Sequence, residues 1–358
     1  MIALNNPVKP NLKKLQKLLE KINASSWFTN FGPMHKELTE RLEDYLCVQN
    51  LLLTNNGTSA LQVAGRALNS KSIISTPFSF IATASAFKWQ KDELAFADID
   101  SKSLNICPQA IKAAYEDGCK ADTLVATHVY GNPCDVNALK VLAEKNNFKI
   151  IYDAAHAFGV KVNEQSVLNY GDASTLSFHA TKVFHTVEGG AIIFKDRANY
   201  EKAERLINFG ICHDEGETHI GINAKMNEYQ AAVGLINLEE IDNVLNHRTE
   251  LFYAYRQGLK DVVTLPIWHP ESNANGAYMP ILLKNKKQLK GVTQALDEKN
   301  IQSRHYFSPS LDTIFVNDHN YGTSNSLKAS ESILCLPLHA HLKLQDIAFV
   351  IENVKKGL

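Results

Sequence analysis

The chain has 358 residues, 45% of them hydrophobic, with 37 basic and 38 acidic side chains and a formal net charge of -1. That length suggests two domains, or one large domain with a smaller appendage, and the composition provides for a sizeable core. The charge balance argues against a broad nucleic-acid surface and for a small-molecule substrate, and no apolar run approaches the roughly 18 residues of a membrane span.

The N-terminus has no basic segment followed by an apolar one, so no targeting signal is expected there. The six cysteines, Cys47, Cys107, Cys119, Cys134, Cys212 and Cys335, form no CxxC pair. They read as reduced thiols of a cytoplasmic protein.

Seven short apolar runs, several of them β-branched, occupy residues 51–54, 72–76, 94–97, 124–129, 149–152, 175–178 and 191–194. Such runs suit strands buried on both faces. Helical stretches at 59–68, 83–91, 109–116 and 136–145 alternate with the first five. The pattern predicts an α/β fold built on a mostly parallel, seven-stranded sheet between helical layers. The last three runs follow one another with shorter connections, which leaves room for an antiparallel part.

From about Met226 the pattern changes. Residues 227–246 predict one long helix, with Tyr229, Ala232, Val233, Ile236 and Ile241 near helical spacing. Strands at 278–283 and 301–306 flank a helix at 287–299. A large domain over 1–246 and a smaller α/β domain over 247–358 are therefore expected.

The chemistry-bearing residues begin with Asp153, which ends one apolar run, and Lys182, which follows a later one in Ser177-Phe178-His179-Ala180-Thr181-Lys182. A pyridoxal phosphate (PLP) enzyme needs this pair. The lysine bonds covalently to the cofactor aldehyde, and the carboxylate pairs with the ring nitrogen. Asn56-Gly57-Thr58-Ser59 opens a helix after the first strand. Gly57 permits a tight turn, and Thr58 and Ser59 add hydroxyl donors to the helix N-terminus, a place suited to a phosphate. Helix capping is the competing role for both.

Phe80, ahead of Phe78, is the candidate to lie against the cofactor ring, with plain core packing as the alternative. His156 stands three residues beyond Asp153, near the expected position of the ring's phenolic oxygen. Ser177 could reach the phosphate. Gly189-Gly190 would let the backbone return close to the cofactor. The 13 histidines are scattered and none forms an HExxH, so no metal is expected.

Taken together, these segments resemble the DegT/DnrJ/EryC1/StrS family of sugar aminotransferases, within fold type I of the PLP enzymes. The similarity also runs through Trp27-Phe28-Thr29-Asn30-Phe31-Gly32-Pro33, His128-Val129-Tyr130-Gly131-Asn132-Pro133, Gly221-Ile222-Asn223-Ala224-Lys225-Met226 and Leu336-Pro337-Leu338-His339. The resemblance implies a homodimer with the active site at the subunit interface, and Asn223 reaching the phosphate of the neighbouring subunit's cofactor. It implies His339 near the substrate. It also implies PLP cycling through its amino form, PMP, in a ping-pong reaction with L-glutamate as donor.

Some members carry histidine at the position of Lys182 and act as dehydratases; this chain keeps the lysine, which favours transamination. The segments containing Phe31 and Tyr306 are similar to those of enzymes acting on dTDP-linked keto-6-deoxyhexoses, and both residues are candidates for substrate binding. The opening segment resembles 4-aminotransferases forming dTDP-4-amino-4,6-dideoxyglucose. Residues 177–190 are also similar to 3-aminotransferases. A PLP dehydratase or lyase, and a cofactor-binding regulatory protein without catalysis, are the rival readings.

Overall fold

The computed structural model describes residues 1–211 and 220–358; Cys212 lies outside them. The first five strands alternate with helices: β1 (Leu51–Thr54), β2 (Ser72–Ser75), β3 (Glu93–Phe96), β4 (Thr123–Thr127) and β5 (Lys149–Asp153). A small hairpin, β6 (Lys161–Val162) and β7 (Gln165–Ser166), precedes β8 (Ala173–Ser177) and β9 (Gly190–Phe194). The C-terminal part of the chain carries β10 (Met279–Leu282) and β12 (Ile333–Leu336), which pair in the smaller unit, and β11 (His319–Asn320), which returns to the large sheet.

All seven expected strands join one sheet in the order β1-β9-β8-β5-β4-β2-β3-β11. Only the antiparallel strand β9, paired with β1 and β8, departs from the parallel pattern. The eighth strand, β11, adds two exposed polar residues to the edge, so it left no apolar signature in the sequence.

The sheet is buried on both faces. Leu51, Leu53, Ile74, Leu124, Ala126, Ile150 and Tyr152 join one core, under helices α1 (Leu12–Ser25), α2 (Pro33–Leu46), α5 (Pro108–Glu116), α6 (Val136–Asn146) and α8 (Glu228–Leu238). Their neighbours Leu52, Ile73, Val125 and Ile151 join the opposite core, with α3 (Gly57–Ala67), α4 (Ile81–Lys88) and α7 (Arg197–Ile207). The two-residue period of a strand makes this split.

Residues 227–246 do not form one helix. α8 stops at Leu238, and α9 (Ile241–Leu259) starts after a break at Glu239 and Glu240, where Glu240 leaves helical geometry at φ -109° and ψ 5°. α9 passes through residue 246 without interruption. Its Ile241 and Val244 pack in the first sheet core. Its Leu251, Phe252, Tyr255 and Leu259 pack in a third core with α10 (Lys286–Asp297) and α12 (Leu344–Lys356). One further helix, α11 (Ser324–Ser332), leads into β12.

The strand expected at 301–306 is absent. Ile301 makes a single bridge to Ile2 and Arg304 a single bridge to Cys335, and the partner of β10 is β12 instead. Among the described residues no helix is long and apolar enough to cross a membrane.

Candidate active site

A cavity of about 310 Å³ opens at the carboxyl edge of the parallel strands. Gly57, Thr58, Phe80, Asp153, His156, Ser177, Lys182 and Tyr306 all line it. Strand alternation places two of them. Asp153 shares the face of Ile151, and Ser177 shares the face of Ala173, the side covered by α3 and α4.

Asp153 is buried there among fixed donors. Thr83 Oγ1 of α4 donates to its Oδ2 at 2.6 Å, and the Ala155 N–H donates to its Oδ1 at 3.2 Å. Behind Thr83, the Ser79 hydroxyl lies 2.7 Å from Thr83 Oγ1 and 2.9 Å from Thr127 Oγ1. Burial raises the Asp153 pKa, opposed by the Thr83 and Ala155 hydrogen bonds and by the Lys182 charge.

Lys182 stands on the connection between β8 and β9. Phe178 and Phe184 anchor that loop in the first core, edge to face at 4.9 Å. The Lys182 N–H donates to the His179 carbonyl at 2.9 Å. Burial lowers its ammonium pKa to about 8, while Asp153 acts in the opposite direction. A neutral amine is thus accessible near neutral pH, as a nucleophile and proton carrier requires.

The helix N-terminus at α3 forms the cavity's second end. Asn56 caps it, its Oδ1 accepting from the Ser59 N–H at 2.8 Å. The N–H groups of Gly57 and Thr58, first-turn donors without intrahelical acceptors, remain directed at the mouth of the helix. A Cβ on Gly57 would lie 2.9 Å from Ser177 Cβ, and one on Gly190 would lie 2.7 Å from the Asn56 backbone. Both glycines therefore permit a close approach of backbone segments around this end.

The remaining wall is aromatic. His156 lies against Tyr278 with centroids 4.6 Å apart and parallel to Phe307 at 5.9 Å. Its Nδ1 accepts from the Tyr130 N–H at 3.3 Å, so the neutral ring carries its proton on Nε2. Burial, then Lys182, holds its pKa well below the usual range. Phe80 meets Tyr306 edge on, and the Arg304 guanidinium lies 4.4 Å over the Tyr306 ring.

A buried carboxylate, a lysine of lowered pKa and a helix N-terminus with close backbone approach are the donor set that PLP needs, and these residues fit it. A sequence model of the DegT/DnrJ/EryC1/StrS aminotransferase family matches residues 11–355. The chain belongs to this family. It is 40% identical over 364 residues to a dTDP-4-amino-4,6-dideoxy-D-glucose transaminase of Shigella dysenteriae, covering 99% of this chain and 98% of that one. A transaminase of the same name from Escherichia coli is 35% identical over 369 residues, with 99% and 98% covered.

Among solved structures, that of DesI in the presence of its TDP-sugar product superposes with a TM-score of 0.93 at 27% identity, covering 99% of this chain and 92% of that one. The fold is that of a fold type I PLP-dependent transferase, and the protein is a PLP-dependent aminotransferase.

Four of the family residues expected at the site do not line the cavity of this single chain. Ser59 donates its hydroxyl to Asn55 Oδ1 and Asn56 Oδ1, at 2.8 and 3.0 Å, which supports the cap that Asn56 makes. Asn223 is exposed, its carbonyl 3.4 Å from Asn55 Nδ2. Phe31 meets His35 edge on at 5.2 Å. His339 is buried, and its pKa is lowered to about 4 by burial and then by Arg248.

Phe80 lines the cavity, whereas Phe78 is wholly buried. Sequence reasoning missed Thr83, Tyr278 and Arg304. Thr83 lies three residues past Phe80 on α4, and its role shows only through its bond to Asp153.

Proposed function

We propose that this aminotransferase moves the amino group of L-glutamate to a dTDP-4-keto-6-deoxyhexose, giving dTDP-4-amino-4,6-dideoxyglucose. The observation that carries this reading is the 40% identity to the Shigella transaminase across 99% of the chain.

When bound, PLP supplies a covalent handle for the amino group and an electron sink. The protein's part is then as follows. Lys182 Nζ is the covalent anchor and, once released, accepts the proton lost from the donor's α-carbon. In the second half-reaction it returns a proton to the sugar carbon that receives the amino group. Asp153, held by Thr83 and the Ala155 N–H, keeps its carboxylate against the ring nitrogen. His156 offers Nε2–H to the ring's phenolic oxygen.

Gly57, Thr58, Ser59 and Ser177 receive the phosphate at the α3 N-terminus. The Ser59 N–H is held by Asn56 Oδ1, so Ser59 would reach the phosphate through its hydroxyl, turned away from Asn55 and Asn56. Phe80 covers the ring. Tyr306, Phe31 and His339 are assigned to the sugar-nucleotide side, the last two through closure of the assembled site. The assembly is a homodimer. Trp27, Phe28, Phe209, Ile222 and Tyr229 are large exposed apolar residues that support this reading, and exposed Asn223 is the residue expected to cross to the partner's phosphate.

Absorbance of the purified protein tests the assignment. Glutamate should remove the band of lysine-bound cofactor, and dTDP-4-keto-6-deoxyglucose should restore it. Return only with the 3-keto isomer would move the reaction to C3. No response to glutamate would exclude it as the donor.

A further inference from the structure

The first eight residues run along the smaller unit and end against the loop that carries Lys182. Ile2 donates its N–H to the Asn300 carbonyl at 2.9 Å and accepts from the Gln302 N–H at 2.9 Å. Leu4 donates to Gln302 Oε1 at 3.1 Å and accepts from the Leu338 N–H at 3.3 Å. Two contacts then cross to the larger unit. Asn5 Nδ2 donates to the Thr181 carbonyl at 2.5 Å, and the Val8 carbonyl lies 2.8 Å from His185 Nε2.

Lys182 stands between these two attachment points. Its loop is otherwise held by its own turn bonds, by the buried rings of Phe178 and Phe184, and by Asn237 Nδ2 donating to the His185 carbonyl at 2.9 Å.

We propose that residues 1–8 form a strap that sets the direction in which Lys182 enters the cavity, with Asn5 as its positioning residue. The Thr181 carbonyl belongs to the rigid peptide unit that ends at the Lys182 nitrogen. Holding that oxygen, while the Lys182 N–H is held by the His179 carbonyl, fixes the rotation of the unit and so the point from which Lys182 Cα projects its side chain. A lysine side chain has many rotamers, and its reach is defined only when its base is held. The strap also joins the smaller unit to the reacting lysine, because the same eight residues bind both. The inference deepens the reading of Lys182 as anchor and proton carrier, and rests on it.

Hydrogen exchange on the cofactor-free full chain tests it, comparing wild type, Asn5→Ala, Asn5→Asp and the control Asn6→Ala, an exposed neighbour on the same strap. Loss of one such bond should accelerate exchange of the amides at 179–187 by roughly fivefold. The rest of the chain, and Asn6→Ala throughout, should match wild type. In the loaded protein, the Asn5 variants should show a slower glutamate half-reaction at saturating donor, with the half-saturating donor concentration unchanged.

Unchanged exchange at 179–187 would overturn the proposal. So would acceleration spread evenly over the molecule, since the strap would then be a general staple. The exchange arm uses neither cofactor nor substrate, so it stands even if the proposed sugar is wrong.

Discussion

Thr83 donates a 2.6 Å hydrogen bond to Asp153, so the carboxylate at the centre of the site depends on a hydroxyl from a neighbouring helix. Burial alone favours the protonated acid, and Thr83 is the largest influence opposing it. Thr83→Val should push the Asp153 pKa further up and lower kcat/KM by about tenfold or more, the scale of a hydrogen bond to a charged group. Thr83→Ser should retain most of the activity. Steady-state kinetics of the two variants check this.

Asp153 also affects stability in the opposite sense to activity. Its folded pKa lies above the unfolded one, so the folded state holds the proton more tightly. That contribution is fully present below the unfolded carboxylate pKa and is lost as pH rises through the folded value. Asp153→Asn removes the buried charge. In the cofactor-free protein it should raise the unfolding temperature at pH 7 to 8 relative to wild type, with little difference near pH 3, while turnover collapses. Thermal unfolding at the two pH values is the measurement.

Lys182→Ala should abolish turnover, because the anchor and the proton carrier are one amine. Near-normal steady-state activity in that variant would sink the assignment. In the cofactor-free wild type, acylation of the Lys182 amine should follow a midpoint near its lowered pKa of about 8. Asp153 raises that value, so Asp153→Asn should move the midpoint down. Rates of acylation against pH, read by peptide mass spectrometry, decide the direction.

Gly57→Ala should place a methyl 2.9 Å from Ser177 Cβ. Overpacking of this kind costs about 1–3 kcal/mol, and it falls on the phosphate end of the cavity. Cofactor affinity should drop by about tenfold. Ser177→Gly removes the clashing atom, so the double variant should recover part of the loss, giving a non-zero coupling in a double-mutant cycle.

Glu228 is buried and accepts from the N–H groups of Met34 and His35, at 2.8 and 2.9 Å, as the carboxylate at the start of α2. A Cβ on Gly32 would lie 2.5 Å from its carboxyl carbon. Glu228→Ala leaves two buried donors unpaired and should cost about 2–4 kcal/mol of stability. Gly32→Ala should displace the same carboxylate. Chemical unfolding of both variants measures the effect.

The sequence was most legible where one local signal was sufficient. The apolar runs marked the central strands because each is buried on both faces, and Asp153 and Lys182 stood out because one ends such a run and the other follows one closely. Thr83 escaped because its role depends on Asp153, 70 residues away, and in isolation it is an ordinary helix residue. The break between α8 and α9 escaped because Glu239 and Glu240 are good helix formers and no glycine or proline marks the turn. The segment at 301–306 has strand-like residues, but Ile301 and Arg304 pair with different partners, Ile2 and Cys335. In the segment Trp27 to Pro33, which resembles a substrate signature, Gly32 also packs directly against the carboxylate that caps α2, a contact with a residue far along the chain that no local signal announces.

The antiparallel strand β9 gives the reacting lysine an all-or-none address. Lys182 lies in the turn of a hairpin whose register places Ser177 opposite Gly190 and Thr175 opposite Ile192. A one-residue slip that carried Ala191 into the place of Gly190 would send Ile192 to the wrong face and drive a methyl against the Asn56 backbone, at the root of the connection that carries the lysine. Intermediate placements are forbidden by the same packing. Insertions between the two strands are therefore poor routes to a new reach for the lysine, and altered specificity has to come from the walls around it.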